Sequence, residues 1–239
     1  MNGNRIEREP KGTQTLARRV YARLRGQLIS GALAPGQKLS LRSVAERLGV
    51  SMMPVREAVS KLVADEALEV LPNRAVRVPV LSLDKFRELT LIRVAIEGFA
   101  AGRAALMRSP SQLASMRRHD AAYRRQCGRP RPNVEAAVRA NQALHFAVYG
   151  AAGLPSLVPI IEGLWLRIGP VLNLDIRSQT DLLRPGAAER CHAQLVAAID
   201  ATDSERARAA LEADIRAAAA HIELRGILSA APSAQQRGG

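Results

Sequence analysis

Cysteine is nearly absent. Cys127 and Cys191 are the only two among 239 residues, too few for a disulfide framework, and they suit a reducing, cytoplasmic setting. Aromatic side chains make up only 3% of the chain while hydrophobic residues reach 47%. Alanine and leucine must therefore fill the core, and such residues lose little entropy in helices. No apolar run approaches the ~20 residues needed to cross a bilayer. The first residues, with Arg5, Glu7, Arg8, Glu9 and Lys11, lack the apolar centre of a secretion signal. Acidic residues are also in deficit, 22 against 35 basic, for a formal charge of +13. Basic side chains placed at phosphates release counterions, so this imbalance points to a polyanionic partner. The excess is densest over residues 1–79, which hold 14 Lys and Arg against 7 Asp and Glu; the other 160 residues hold 21 against 15.

Punctuation by Gly and Pro divides the chain. Residues 1–14 are polar and read as a mobile arm. Leu16, Val20, Leu24 and Leu28 repeat every four residues and predict a helix over 15–30, stopped by Gly31. Ser40 looks like the cap of a short helix through Leu48 that Gly49 closes, and a third helix runs from Ser51 to about Glu66. Residues 68–71 and 75–78 flank Pro72-Asn73-Arg74 and read as a small hairpin. Residues 15–79 thus form one unit, ending at Pro79. From 83 to 230 the pattern is helical, over 83–107, 110–127, 133–151, 155–172, 186–201 and 203–229. Breaks fall at Ser109-Pro110, 128–132, Gly153-Leu154-Pro155 and Arg184-Pro185-Gly186; Ser109 before Pro110 matches a cap followed by Pro at the first helical position. Residues 231–239 read as a flexible tail. The fold class expected is mainly α, a winged helix-turn-helix (three helices plus a hairpin wing) followed by an all-α helical-bundle domain.

Three helices with a tight Gly turn before the third and a two-stranded wing describe a winged helix-turn-helix. The stretches Gly31-Ala-Leu-Ala-Pro35-Gly36, Val44-Ala45-Glu46-Arg47-Leu48-Gly49-Val50-Ser51 and Pro54-Val55-Arg56-Glu57-Ala58 resemble the GntR family of transcription regulators, in order and spacing. The resemblance implies double-stranded operator DNA as the partner, and because helix-turn-helix modules read paired half-sites a homodimer is expected. Ser51, at the start of the recognition helix, can offer its hydroxyl to a phosphate beside the positive end of the helix dipole. Arg56 lies in the first turns, where such helices reach bases or phosphates. Arg42 could clamp the groove edge, and Asn73 and Arg74 at the wing tip suit phosphate or minor-groove contact. Each also has a plain reading as an exposed polar residue, and Ser51 as a mere cap. The family usually has Arg at Met52, and Met cannot make the two-pronged contact to guanine. Glycine is also expected at Ala67 and after Arg74, so a left-handed Ala67 would be strained by roughly 1 kcal/mol.

The helical remainder resembles the FCD-type effector domain of the FadR subfamily. Leu91-Ile-Arg93-Val-Ala-Ile-Glu97 is similar to its opening helix, and Asn141-Gln-Ala-Leu144-His145-Phe146 before Gly153-Leu154-Pro155 is similar to its D/N-x-x-F-H pattern. Asn141 and His145, four apart, face the same way on a helix. The resemblance implies a metal set of Asn141, His145, His192 and Asp214, with Asp214 where a third histidine is usual. Imidazole and carboxylate ligands suit zinc, nickel, manganese or iron. Hydrogen bonding of His145 and His192 to an effector or a buried carbonyl accounts for them as well. Arg93 is a candidate for gripping a small acidic metabolite, or for an i,i+4 ion pair with Glu97; Asn141, His145 and His192 complete that effector set. The reading is a DNA-binding regulator tuned by a small acidic metabolite, not an enzyme. A metal-dependent hydrolase carried on a DNA-binding module is the alternative, and it lacks a clear general base or nucleophile beside the ligands.

Overall fold

The computed structural model describes residues 11–178, 186–226 and 228. Residues 1–10 of the arm expected at 1–14, Arg184 and Pro185 of the break at 184–186, and the tail at 231–239 lie outside them, while residues 11–14 are helical instead of forming an arm. The first helix, α1 (Lys11–Ile29), starts four residues earlier than its periodicity predicts. Val20, Leu24 and Leu28 are fully buried against Val55, Val59 and Leu62 of α3 (Met52–Ala64). Between them lie β1 (Lys38–Leu39) and α2 (Leu41–Leu48). The Ser40 side chain accepts the Ser43 backbone N–H at 3.2 Å, and Gly49 ends α2 with φ 61, the left-handed geometry that suits glycine.

The wing is β2 (Glu69–Val70) and β3 (Val76–Arg77), joined by Pro72-Asn73-Arg74. It gains a strand that the sequence did not announce. β1 pairs antiparallel with the other edge of β3, Lys38 opposite Arg77 and Leu39 opposite Val76, giving the order β1-β3-β2. A two-residue strand carries no periodicity to detect. The left-handed residue before the wing is also not the expected one. Glu66 takes φ 58, while Ala67 is buried in the core.

The rest is helical: α4 (Leu83–Met107), α5 (Pro110–Cys127), α6 (Val134–Ala151), α7 (Leu157–Ser178), α8 (Ala187–Asp200) and α9 (Ser204–Leu224). Ser109 and Gln112 close a reciprocal capping box at the start of α5, with Pro110 in its first turn. α4 packs along α9, α9 along α8, and α5 along α6. Ala100, Ala101, Ala104 and Ala105 of α4 are fully buried, so small side chains let helix axes close up where a core rich in aromatics would hold them apart. α7 packs against α1. One apolar cluster runs from Val20, Leu28 and Leu62 through Trp165 and Leu166 to Leu144 and Leu211, so the core of the helix-turn-helix continues into that of the helical domain.

Candidate functional site

The chain carries two groups of candidate residues. The first lies on the helix-turn-helix. Ser51 sits at the N-cap position of α3 in extended conformation and is exposed, and its side chain makes no capping hydrogen bond. Arg56 is exposed one turn further on, beside the half-buried Met52, which packs partly on the core, and Met53, which is 60% exposed. Arg42 is exposed and pairs with Glu46 at 3.1 Å; an exposed i,i+4 pair is worth only a few tenths of a kcal/mol, so a phosphate could displace Glu46 at little cost. At the wing tip the Asn73 side-chain oxygen accepts the Ala75 backbone N–H at 3.1 Å. It braces a turn in which exposed Arg74 adopts φ 62.

The second group is buried. α6 supplies Asn141 and His145, α8 supplies His192 and α9 supplies Asp214. One ligand atom from each of His145, His192 and Asp214 can be chosen so that all lie within 4.8 Å of one another. His145 Nε2 is 3.3 Å from Asp214 Oδ2, and His192 Nε2 is 3.7 Å from Asp214 Oδ1, the second too long for a hydrogen bond. Both ring nitrogens of His192 are buried without any hydrogen-bond partner, an expensive arrangement for a polar ring. Tyr123 packs edge-on against that ring at 4.9 Å. Burial pushes the His192 imidazole pKa down to about 4 against the opposing pull of Asp214, so the ring is neutral, as a metal ligand must be. Burial works to raise the Asp214 carboxyl, but His192, His145 and Arg93 outweigh it and hold it below its usual value.

A relay behind His145 sets its tautomer. Arg93 forks onto Glu97 at 2.6 and 3.1 Å, fully buried, with its guanidinium 5.1 Å from the centre of the Trp165 ring. The Tyr149 hydroxyl donates to Glu97 and lies 2.9 Å from His145 Nδ1. Burial above all, reinforced by Glu97, pushes the Tyr149 hydroxyl well above its ordinary pKa, so it keeps that proton. Its oxygen is then free to accept from His145 Nδ1–H, leaving the Nε2 lone pair facing Asp214. Two electron-rich atoms at that spacing call for a cation between them, a proton on Nε2 or a metal. The donor set, the orphaned His192 nitrogens and the fixed tautomer all fit a divalent ion.

Of the two readings left open for Arg93, the structure contains the ion pair with Glu97. Arg93 nonetheless lines a pocket of about 80 Å³ together with Asn141, His145, Trp165, Asn173 and Asp214. Larger grooves of about 400 and 510 Å³ run along α1 beside Arg19 and Tyr21. They hold none of the histidines and no unpartnered buried atom, so the smaller pocket is the better sensing candidate. Tyr149, Trp165 and Asn173 escaped the sequence reading. Tyr149 follows His145 by four residues on the face that carries Asn141, a signal that was there to find; Asn173 had none.

Residues 16–78 match the family described as "Bacterial regulatory proteins, gntR family", and residues 88–217 match the FCD domain. The chain belongs to the GntR family. It is a transcriptional regulator with a DNA-binding helix-turn-helix and an FCD domain. The HTH-type transcriptional regulator McbR of Escherichia coli strain K12 is 32% identical over 194 residues, 81% of this chain and 86% of that protein. The HTH-type transcriptional repressor RspR of the same organism is 36% identical over 107 residues, 45% of this chain and 47% of that protein. The solved structure of E. coli McbR/YncC superposes with a TM-score of 0.81 at 30% identity, covering 88% of this chain and 98% of the other. A putative GntR regulator from Rhodococcus sp. RHA1 gives 0.70 at 22% identity, over 87% and 98%, a likeness of fold alone. Among the described residues no helix is long and apolar enough to cross a membrane.

Proposed function

We propose that this GntR-family regulator binds a pseudo-palindromic operator as a homodimer, and that a divalent metal on His145, His192 and Asp214, with Asn141 beside it, holds a small acidic metabolite that changes operator affinity. The observation that carries the sensing half is the pair of His192 ring nitrogens, buried and unpartnered beside a carboxylate. Charge then argues that metal and metabolite bind together. Arg93 and Glu97 cancel each other, His192 is neutral, and Asp214 is an anion, so the metal-free pocket has no net positive charge to draw a carboxylate. A divalent cation supplies one and offers a Lewis-acidic point for a carboxylate oxygen. Zinc, nickel, manganese and iron all suit the donor set. A pocket of about 80 Å³ is small beside the roughly 300–1,000 Å³ of drug-sized sites, so the metabolite is compact.

On the DNA side the proposal uses Arg56 in the groove, Ser51, Arg42 and Arg74 at phosphates, Asn73 bracing the wing, and Met52 as a departure that changes half-site preference. Helix-turn-helix modules read paired half-sites as two-fold dimers. Hydrolysis draws no support from the relatives, which are named as transcriptional regulators.

The test is metal content of untagged protein followed by gel shifts with and without metal and small dicarboxylates. Bound metal lost in His192→Ala, together with a carboxylate response that needs metal, is the expected result. Absence of metal with the response intact would discard the metal and keep the pocket; a normal response in His192→Ala would discard the pocket.

A further inference from the structure

A regulator of this design needs a physical link between its pocket and its DNA-reading module, and one side chain touches both. Asn173, on α7, lines the sensing pocket beside Arg93, His145 and Asp214. The same side chain is buried, and its amide N–H donates to the carbonyl of Ile29, the last residue of α1, at 2.7 Å. It also reaches the Gly169 carbonyl one turn back, at 3.3 Å. We propose that Asn173 is the residue through which pocket occupancy is transmitted to the helix-turn-helix. This inference rests on the sensing pocket proposed above and adds its route to DNA.

The surroundings suit a tight mechanical link. A Cβ built on Gly169 would meet Ile29 Cα and carbonyl oxygen at 2.8 Å, and one built on Gly31, where φ is +64, would meet Asn173 Cβ at 2.6 Å. The two backbones therefore touch with no side chain to cushion them, and a small displacement of α7 there must be passed to α1. Pro170 lies between Gly169 and Asn173. It has no N–H to give the Leu166 carbonyl, so α7 is least rigid at the junction. α1 in turn packs along the recognition helix α3, with Tyr21 donating to Asp65 at 2.8 Å. An occupant that draws on the Asn173 side chain, an anion at its N–H or a cation at its oxygen, pulls the amide away from the carbonyl of Ile29, a buried residue. The occupied and empty pockets thus hold α1 differently, as differential binding to DNA requires.

Coupling is reciprocal, so DNA must also be felt in the pocket. Trp165, the only tryptophan, lines that pocket, and its fluorescence reads the pocket without any ligand. The probe is a duplex selected from a random-sequence pool by the full-length protein. Titrating it should change Trp165 emission in the wild type. The change should vanish in Asn173→Leu, which keeps the approximate volume but loses the amide, and in Asn173→Ala, with folding checked by circular dichroism. Asn173→Gln, which restores a donor, should recover part of it. An unchanged emission in the wild type on saturation with duplex, or an undiminished change in Asn173→Leu, would overturn the link.

A second arm uses zinc alone. Where zinc binds, it should alter hydrogen exchange of backbone amides at 28–33 in the wild type and not in Asn173→Leu. With each protein held at its own saturating zinc, the effect of zinc on duplex affinity, about 5-fold or more in typical coupled systems, should fall towards one in the variant. Zinc that binds without touching the 28–33 amides would refute the link and spare the pocket. If zinc fails to bind at all, the metal reading falls, and the fluorescence titration still decides the role of Asn173.

Discussion

The residues proposed to face DNA and those proposed to serve the sensing site live in opposite surroundings. Arg42, Arg56 and Arg74 are exposed, and Arg42 is held by nothing stronger than a solvent-facing pair with Glu46. Arg93, Glu97, His145 and His192 are buried, and all but His192 are tied into one chain of hydrogen bonds. Surface groups can be changed with little effect on the fold, because water replaces what is lost. On the proposed reading the buried groups are structural and functional at once. A mutation there moves stability and sensing together, whereas one on the DNA face should separate stability from affinity.

The largest expected effect tests that contrast directly. Glu97→Ala strands the Arg93 charge in the core and removes the acceptor of Tyr149, so it should cost about 3–5 kcal/mol of unfolding free energy. Arg42→Ala breaks an ion pair of the same i,i+4 spacing and should stay within about 0.5 kcal/mol. Urea denaturation of both variants measures the gap. Equal losses would mean that burial does not distinguish the two pairs.

Next in size is a pH effect confined to the pocket. The native His192 titrates at about 4, below the ordinary 6.5, because burial disfavours its charge. Between those values the unfolded chain holds a proton that the native state does not. Metal-free protein should therefore lose stability as pH falls from about 6.5 to 4, by on the order of 3 kcal/mol. Asp214, whose native carboxyl is held low, adds a loss of the same sign at more acidic pH, below the ordinary carboxylate value. His192→Phe should flatten the first window. A slope that persists in that variant would assign it elsewhere.

The two regions also differed in how readable they were from sequence. The helix-turn-helix was legible through local chemistry, since Ser40, Gly31 and Gly49 punctuate helices whose apolar faces repeat at helical spacing. β1 was not, because its pairing with β3 depends on a partner nearly forty residues away. In the pocket, Asn141, His145, His192 and Asp214 were all reached through family resemblance, and spacing added only that Asn141 and His145 share a helix face. Their convergence depends on α8 packing along α9 while α4 and α5 hold α6 across the pocket from them, which no local pattern encodes. Asn173 was invisible for the same reason, since its partner is the carbonyl of Ile29, and a carbonyl looks alike at every residue.

On the DNA face, Arg56→Ala should weaken operator binding by about 1–3 kcal/mol if the guanidinium reads a base, and less if it meets a phosphate. Stability should hold within about 0.5 kcal/mol, because the side chain is exposed. Affinity by gel shift and stability by denaturation must therefore disagree for this variant. Parallel losses would mean that Arg56 supports the fold rather than the contact.

The smallest effect is the most discriminating, because its two halves have opposite signs. Arg74 adopts φ 62 at the wing tip, a left-handed conformation that costs a residue bearing a Cβ roughly 1–2 kcal/mol. Glycine there removes the clash but adds backbone entropy to the unfolded chain, about 0.5–1 kcal/mol. Arg74→Gly should consequently stabilise the protein by about 0.5 kcal/mol. The same change deletes a cation from the tip of the wing. If Arg74 touches a phosphate, operator affinity should fall uniformly across sequences, and the dependence of log affinity on log salt should shallow by about one unit. A stabilised variant with an unchanged salt slope would retire Arg74 from the interface and leave its strained backbone without a functional reason. A weaker binder with the shallower slope would show that the wing gives up stability to hold a charge against DNA, an exchange with no counterpart in the buried pocket.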